Sequence, residues 1–407
     1  MQDPNKTGEA VPQIDFQDPA FFSNPFPALA RLRRTGPLMK VQLTSGVEAW
    51  LITRYDEALQ VLKEARFVVQ PQNTEGRLFE MPPILQKLIF NNVVAADPPR
   101  HTQLRALVSK AFNARFIESL RPHIQEITDH LIDEALPRGQ MDLIEDFAFP
   151  LPITVIAEML GVPVEDRNRI RIWSQAIFNT IGGGGTAEDV VHLEEFSTYV
   201  ENLVEGKRRE PRDDLISHMV QAEESGTSLS QVELVSMVTL LIFAGHETTV
   251  NLIGNGMLAL LTHPAELAKL RQDLTLVPAA IEEILRYCGP AIAPGPRYAS
   301  EDVEIGGHLI RKGDAVLVSL AAANRDQAWF QHCETFDITR SDEGRHMAFG
   351  YGIHYCLGAP LARLEGDIAL TTLLRRLPNL RLAVPPETLR WRGNANLRGL
   401  CSLPVAF

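Results

Sequence analysis

Apolar residues recur at helical spacing along most of the chain, and alternation is confined to short stretches. Tyr55-Asp-Glu-Ala-Leu-Gln-Val-Leu62 puts its apolar side chains on one face and predicts an amphipathic helix. Asn24-Pro25-Phe26-Pro27 predicts a turn, followed by a short helix with Leu29 and Leu32. Lys40–Leu43 and Ala49–Thr53 predict a strand pair around Gly46. Helices are expected from Phe116 to Leu136 and from Leu151 to Leu160. The segments Val303–Gly307, Leu309–Gly313 and Ala315–Val318 predict two strands with a turn. The longest pattern opens on Ser230-Gln-Val-Glu233, a capping box. It runs toward His263-Pro264, roughly thirty residues or about 50 Å at helical rise. The expected fold class is mainly α with small β sheets.

The centre of that long helix reads Leu240-Leu-Ile-Phe-Ala-Gly-His-Glu-Thr-Thr-Val250. An acid and two threonines interrupt an apolar run, and burying an unpaired carboxylate is expensive. A membrane span is one reading, but the polar cluster breaks the run too soon for it. A zinc-protease helix is another, but Val250 stands where its second histidine is needed. A structural polar cluster is a third.

A second stretch stands out: Phe349-Gly-Tyr-Gly-Ile-His-Tyr-Cys-Leu-Gly-Ala-Pro-Leu-Ala-Arg-Leu-Glu365. Cys356 precedes a helical pattern, whose N-terminal amides and dipole favour a thiolate. Gly350, Gly352 and Gly358 let backbone and a flat ligand approach the sulfur. Pro360 suits the first turn of the following helix. The ordinary reading of a lone cysteine, a small buried hydrophobe, competes with this one.

Composition narrows the class. The chain has 407 residues, 45% hydrophobic and 22% charged, with a formal net charge of −12. That length ordinarily divides into two or three domains; one is expected here, because the motifs that must meet are spread over most of it. The acidic balance argues against a nucleic-acid binder. The four cysteines, Cys288, Cys333, Cys356 and Cys401, form no Cys-x-x-Cys pair and no disulfide scaffold, which fits a reducing cytoplasm. Met1 to Gln17 is polar, so neither a signal core nor a membrane anchor is expected there. Gly182-Gly183-Gly184-Gly185 lacks the Gly-Lys-Ser/Thr of a phosphate loop. It is expected to be a mobile linker between two lid helices.

Phe349-x-x-Gly352-x-His354-x-Cys356-x-Gly358 resembles the heme-binding signature of the cytochrome P450 superfamily, with every fixed position filled. The resemblance runs from about residue 20 to the end. It implies the family's triangular helical fold as a single domain over 21–407, with 1–20 a flexible segment. It implies heme b, iron protoporphyrin IX, with Cys356 as the axial ligand of the iron. Phe349 would pack beside the sulfur, His354 would reach a propionate, and Gly358 would complete the cofactor loop. His101 and Arg105, four apart on a helix after Asp97-Pro98-Pro99, would share one face toward the propionates. Arg297 would be a third propionate ligand.

Ala244-Gly245-x-x-Thr248 is similar to the family's oxygen-activation motif. Gly245 would open room for dioxygen, Thr248 would hydrogen-bond the oxygen being activated, and Glu247 would relay protons. Glu283, Arg286 and Arg340 resemble its Glu-Arg-Arg folding triad. Residues 71–94 would roof the substrate pocket, with Ala244, Ile292 and Ala293 facing into it. Arg398–Pro404 resembles its C-terminal hairpin.

The function implied is insertion of one oxygen atom from O2 into an apolar or amphipathic small molecule, with hydroxylation foremost. Steroids, terpenoids, fatty acids and polyketides all remain open. No reductase-like extension is expected, and a separate ferredoxin-type donor is, steered by Arg105, Lys110, Arg115, Arg345 and Arg363. The alternatives are a non-catalytic heme-thiolate sensor or carrier, and a peroxide-driven peroxygenase. A sensor would keep Cys356 without needing Glu247 and Thr248.

Overall fold

The computed structural model describes residues 13–15, 18–43, 46–70, 81–109, 112–181, 184–224, 229–341, 345–394 and 396–407. Helices dominate, and the strands gather into small sheets at the margins. The axis of the molecule is the helix Gln231–Thr262, 32 residues long. Its start is set by the expected capping box. Ser230 accepts from the Glu233 N–H, and Glu233 accepts from the Ser230 N–H at 2.8 Å. Its end falls at His263-Pro264, because a proline at the next helix start cannot continue the old one.

This helix meets the length and hydropathy of a membrane span, so its polar cluster does not by itself argue against one. Its surroundings do: the most apolar stretch is 72% buried inside the protein. It packs against the helices Pro150–Leu160, Pro83–Ile89, Val277–Cys288 and Ala359–Arg376. Leu234, Val238, Ile253, Met257 and Leu260 are all buried within that apolar cluster.

The largest sheet has six strands in the order Gln13–Ile14, Leu38–Leu43, Glu48–Ile52, Ala315–Val318, Arg297–Ala299, Phe67–Val68. The expected hairpin around Gly46 is present, antiparallel with Lys40 opposite Trp50. Glu48–Ile52 then pairs in parallel with Ala315–Val318, which carries Arg297–Ala299 antiparallel on its other side. Strands far apart in sequence thus fix the position of Arg297. Gln13–Ile14 pairs with Leu38–Leu43, so the entry segment contributes an edge strand instead of lying wholly free. The C-terminal hairpin pairs Trp391–Gly393 with Arg398–Leu400.

Two further helical regions have adjusted bounds. The segment 116–136 is two helices, Ala114–Ser119 and Arg121–Ala135. The helices flanking the glycine run are Arg167–Thr180 and Ala187–Arg209. Gly182 and Gly183, Lys110, and residues 71–80 of the expected roof lie outside the described residues.

Candidate active site

The cysteine loop is held by backbone. Cys356 N–H donates to the Phe349 carbonyl at 2.9 Å, closing the loop on itself. The helix Ala359–Arg376 starts just beyond, with Gly358 at its N-cap and Pro360 in its first turn. The N–H groups of Gly358 and Ala359 point at the sulfur, as the sequence led one to expect. Burial pushes the Cys356 thiol up, and those two amides with the Arg105 and Arg363 cations pull it back. Phe349 packs within the loop, its ring 6.3 Å from Tyr355 and covered by the Arg363 guanidinium at 4.5 Å.

Four basic side chains converge beside the loop. The rings of His101 and His354 lie 4.5 Å apart. Burial, then Arg297, His101 and Arg105, push the His354 imidazole down to about 3. Burial and Arg105 also lower His101. Arg105 is lowered by burial, with Cys356 acting the other way. Arg297 is 6% exposed and burial brings it down to about 10. Among the described residues none of the four forms an ion pair. The nearby Asp97 carboxylate accepts from the Val69 and Gln70 N–H groups at 3.0 and 3.1 Å. The Nε2 atom of His101 is enclosed without a partner. Two guanidiniums crowded beside an imidazole nitrogen that has no partner ask for an anion. The set fits a ligand with carboxylate arms lying over the cysteine loop, which is what heme presents.

The cavity beside the long helix has a volume of about 750 Å3. Ala244, Thr248, Ile292, Ala293 and Arg297 line it, so the expected pocket residues do meet there. Arg297 belongs both to this wall and to the basic cluster. The Thr248 hydroxyl donates to the Ala244 carbonyl at 3.0 Å, one turn back. The remaining wall is largely aliphatic and aromatic, with Leu240, Phe243, Ile177 and Leu317 among its members.

Two residues of the oxygen-activation motif lie outside the cavity lining. Gly245 packs against a crossing helix. A β-carbon there would stand 2.6 Å from Ile156 Cγ1, so the missing side chain serves the crossing of Pro150–Leu160 over the long helix. Glu247, expected to relay protons, is held by other side chains. Its Oε1 accepts from Arg392 Nη2 at 2.6 Å and from Asn251 Nδ2 at 3.1 Å. Asn251, one turn on, was legible by helical spacing; Arg392, in the C-terminal hairpin, carried no local signal.

The supporting framework matches expectation. Arg286 grips Glu283 through Nε and Nη2 at 2.7 and 2.8 Å, and Arg340 Nε reaches the same carboxylate at 3.2 Å. The expected basic patch is thinner than proposed. Arg363 is paired to Glu282 at 2.6 Å, and Arg105 faces Cys356; Arg115 and Arg345 are exposed. The sequence also gave no notice of Glu365, a fully enclosed carboxyl on the helix that follows the cysteine.

Comparison with known proteins gives the family. The family described as Cytochrome P450 matches residues 184–391. The chain is 44% identical over 393 residues to the polyketide biosynthesis cytochrome P450 PksS of Bacillus subtilis (strain 168), covering 95% of this chain and 96% of that one. It is 46% identical over 390 residues to the cytochrome P450 monooxygenase PikC of Streptomyces venezuelae, covering 95% and 92%. Among solved structures, a myxobacterial cytochrome P450 in complex with myristic acid superposes with a TM-score of 0.88. It is 43% identical, and the match covers 96% of this chain and 98% of that one. The chain therefore belongs to the cytochrome P450 family, as an oxygen-inserting monooxygenase whose cofactor is heme b.

Proposed function

We propose that the protein hydroxylates a polyketide-derived or similarly large apolar molecule, with Cys356 as the iron's axial ligand and Thr248 as the proton-holding group facing the substrate. The observation that carries this reading is the shared wall. One cavity of about 750 Å3 is lined both by Thr248 and by Arg297, a member of the basic cluster at the cysteine loop. Cavities of this size enclose molecules of drug or macrolactone scale. The polyketide biosynthesis for which PksS is named, and the fatty acid held by the myxobacterial structure, support a large, mostly apolar substrate.

Heme b, when bound, supplies iron whose thiolate ligand favours O–O cleavage. The chain's own residues do the rest. His101, Arg105, Arg297 and His354 would hold its carboxylate arms. The aliphatic wall orients the substrate and excludes water. Thr248 now donates to the Ala244 carbonyl, and rotation about its Cα–Cβ bond turns the same proton toward the cavity. Glu247, next along the helix, is the acid through which that proton is replenished. Residues 21–407 act as one domain in this reading, in the cytoplasm. Electrons come from a ferredoxin-type donor docking near the exposed Arg115 and Arg345.

The test has two steps. The reduced carbon monoxide adduct should show thiolate ligation, and Cys356→His should abolish that signature. Thr248→Ala should divert reducing equivalents from product into hydrogen peroxide, in turnover with a substrate found by a spin-shift screen of macrolactones and fatty acids. Unchanged coupling in the variant would refute the role given to Thr248.

A further inference from the structure

We propose that Arg392 is a positioning residue that couples occupancy of the cavity to the Glu247 carboxylate. The guanidinium divides its two terminal nitrogens between two elements. Nη2 holds Glu247 on the long helix at 2.6 Å, and Nη1 holds Gln175 Oε1 on Arg167–Thr180 at 2.7 Å. The ring of Phe178, from that second helix, lies 4.9 Å from the guanidinium carbon. The Glu247 side chain is 5% exposed and that of Arg392 21%, so the pair is mostly shielded from water.

Both elements that flank Arg392 contribute to the cavity wall. Ile177, two residues past Gln175, lines the cavity, and so does Ile181 at the end of that helix. Asn394 and Leu397, in the hairpin that carries Arg392, line it as well. Asn394 Nδ2 also donates to the Phe178 carbonyl at 3.1 Å, so the hairpin and the helix are neighbours. The hairpin is tied to the long helix, where Asn255 Nδ2 donates to the Arg398 carbonyl at 3.2 Å. Glu247 is further held there by Asn251, and the hairpin's second strand seats against Asn251 where Gly399 has no side chain.

A planar fork is intolerant of displacement: moving one partner by about 1 Å loses one of its two hydrogen bonds. A molecule that spreads the walls shifts the Gln175 helix away from the hairpin, takes one hydrogen bond from Arg392 and so loosens its hold on Glu247. With the cavity empty, the acid stays locked away from Thr248; with it filled, the acid is free to turn. The inference rests on the monooxygenase reading for what that release accomplishes, but not for whether it occurs. Coupling is reciprocal, so whatever loosens the latch must also favour ligand.

The test uses heme-loaded ferric protein with myristic acid as the cavity-filling probe. Arg392→Gln should bind it about fivefold more tightly than wild type, because the bond that binding must break is already gone. Gln175→Leu, which leaves the Glu247 pair intact, should tighten binding in the same direction. Arg392→Lys, which keeps the charge and one contact, should restore wild-type affinity in part. Hydrogen exchange over residues 170–181 should rise on adding the acid to wild type. In ligand-free Arg392→Gln it should already stand at the raised level. Weaker binding, or an exchange response to ligand unchanged by either variant, overturns the proposal. None of these readouts depends on Thr248, so failure of the peroxide test and failure of this one are separable.

Discussion

Gly245 and Ile156 approach so closely that a β-carbon on the glycine would stand 2.6 Å from the isoleucine Cγ1. The contact sets how near the helix Pro150–Leu160 lies to the long helix at the level of Ala244 and Thr248. Overpacking such a crossing costs about 1–3 kcal/mol. Gly245→Ala should therefore destabilise the protein by that amount in denaturant unfolding. Ile156→Ala, itself a cavity-forming change, should offset part of the loss when the two are combined. Strict additivity of the two substitutions would show that the helices meet elsewhere.

Gly352 is constrained in a different way. Its φ is +71°, and a β-carbon would lie 2.4 Å from the Leu62 carbonyl oxygen, in the helix Tyr55–Lys63. Both strain and collision oppose any side chain, so Gly352→Ala should cost about 2 kcal/mol or more. Gly358 is the control. Its φ is −80°, and an added β-carbon would meet the Cys356 sulfur at 4.0 Å, an ordinary contact. Gly358→Ala should cost less than about 1 kcal/mol in thermal unfolding of heme-free protein. Equal losses would argue that the loop is not docked through Gly352.

The sequence carried most of the architecture where the signal is local. Ser230 and Glu233 are three apart and cap each other; Glu283 and Arg286 are three apart and pair. The cysteine loop is legible because every fixed position falls within ten residues. What could not be read are contacts chosen by packing. Gly245 looks like an opening in a helix until Ile156, far back in the chain, is found against it. Glu247 reads as a proton relay, with no local sign of Arg392, 145 residues away, that holds it. Arg363 counts as free charge in a sequence and is committed to Glu282 in the fold.

The Glu283 carboxylate is wholly enclosed, with side-chain exposures of 0% for Arg286 and 6% for Arg340 around it. It also accepts from the Asp337 N–H at 2.9 Å, tying the helix Val277–Cys288 to the segment below the cysteine loop. Removing one partner of a buried pair leaves the other uncompensated, at about 3–5 kcal/mol. Glu283→Gln should therefore lower the denaturation midpoint by that equivalent and reduce heme retention after gel filtration. Arg340→Lys should do less, since Arg286 still neutralises the acid. A Glu283→Gln protein as stable as wild type would remove this triad from the framework.

Glu365 gives a stability effect of opposite sign in pH. Its carboxyl is fully buried, neither oxygen has a well-formed hydrogen-bond partner among the described residues, and the polar group it faces is the Thr249 hydroxyl. Burial pushes it from the ordinary 4.5 up to about 8, with Thr249 acting weakly the other way. The folded chain thus keeps a proton that the unfolded chain releases between those two values. Stability is fully present below about 4.5 and falls by up to about 1.4 kcal/mol per pH unit until the folded group itself ionises near 8. Glu365→Gln has the shape of the neutral acid and cannot ionise. Its melting temperature should match wild type near pH 5 and exceed it progressively toward pH 8, measured at fixed ionic strength on heme-free protein. Parallel melting curves across that range would mean that the carboxyl finds water or a cation in solution, and that its burial is not what the fold makes it.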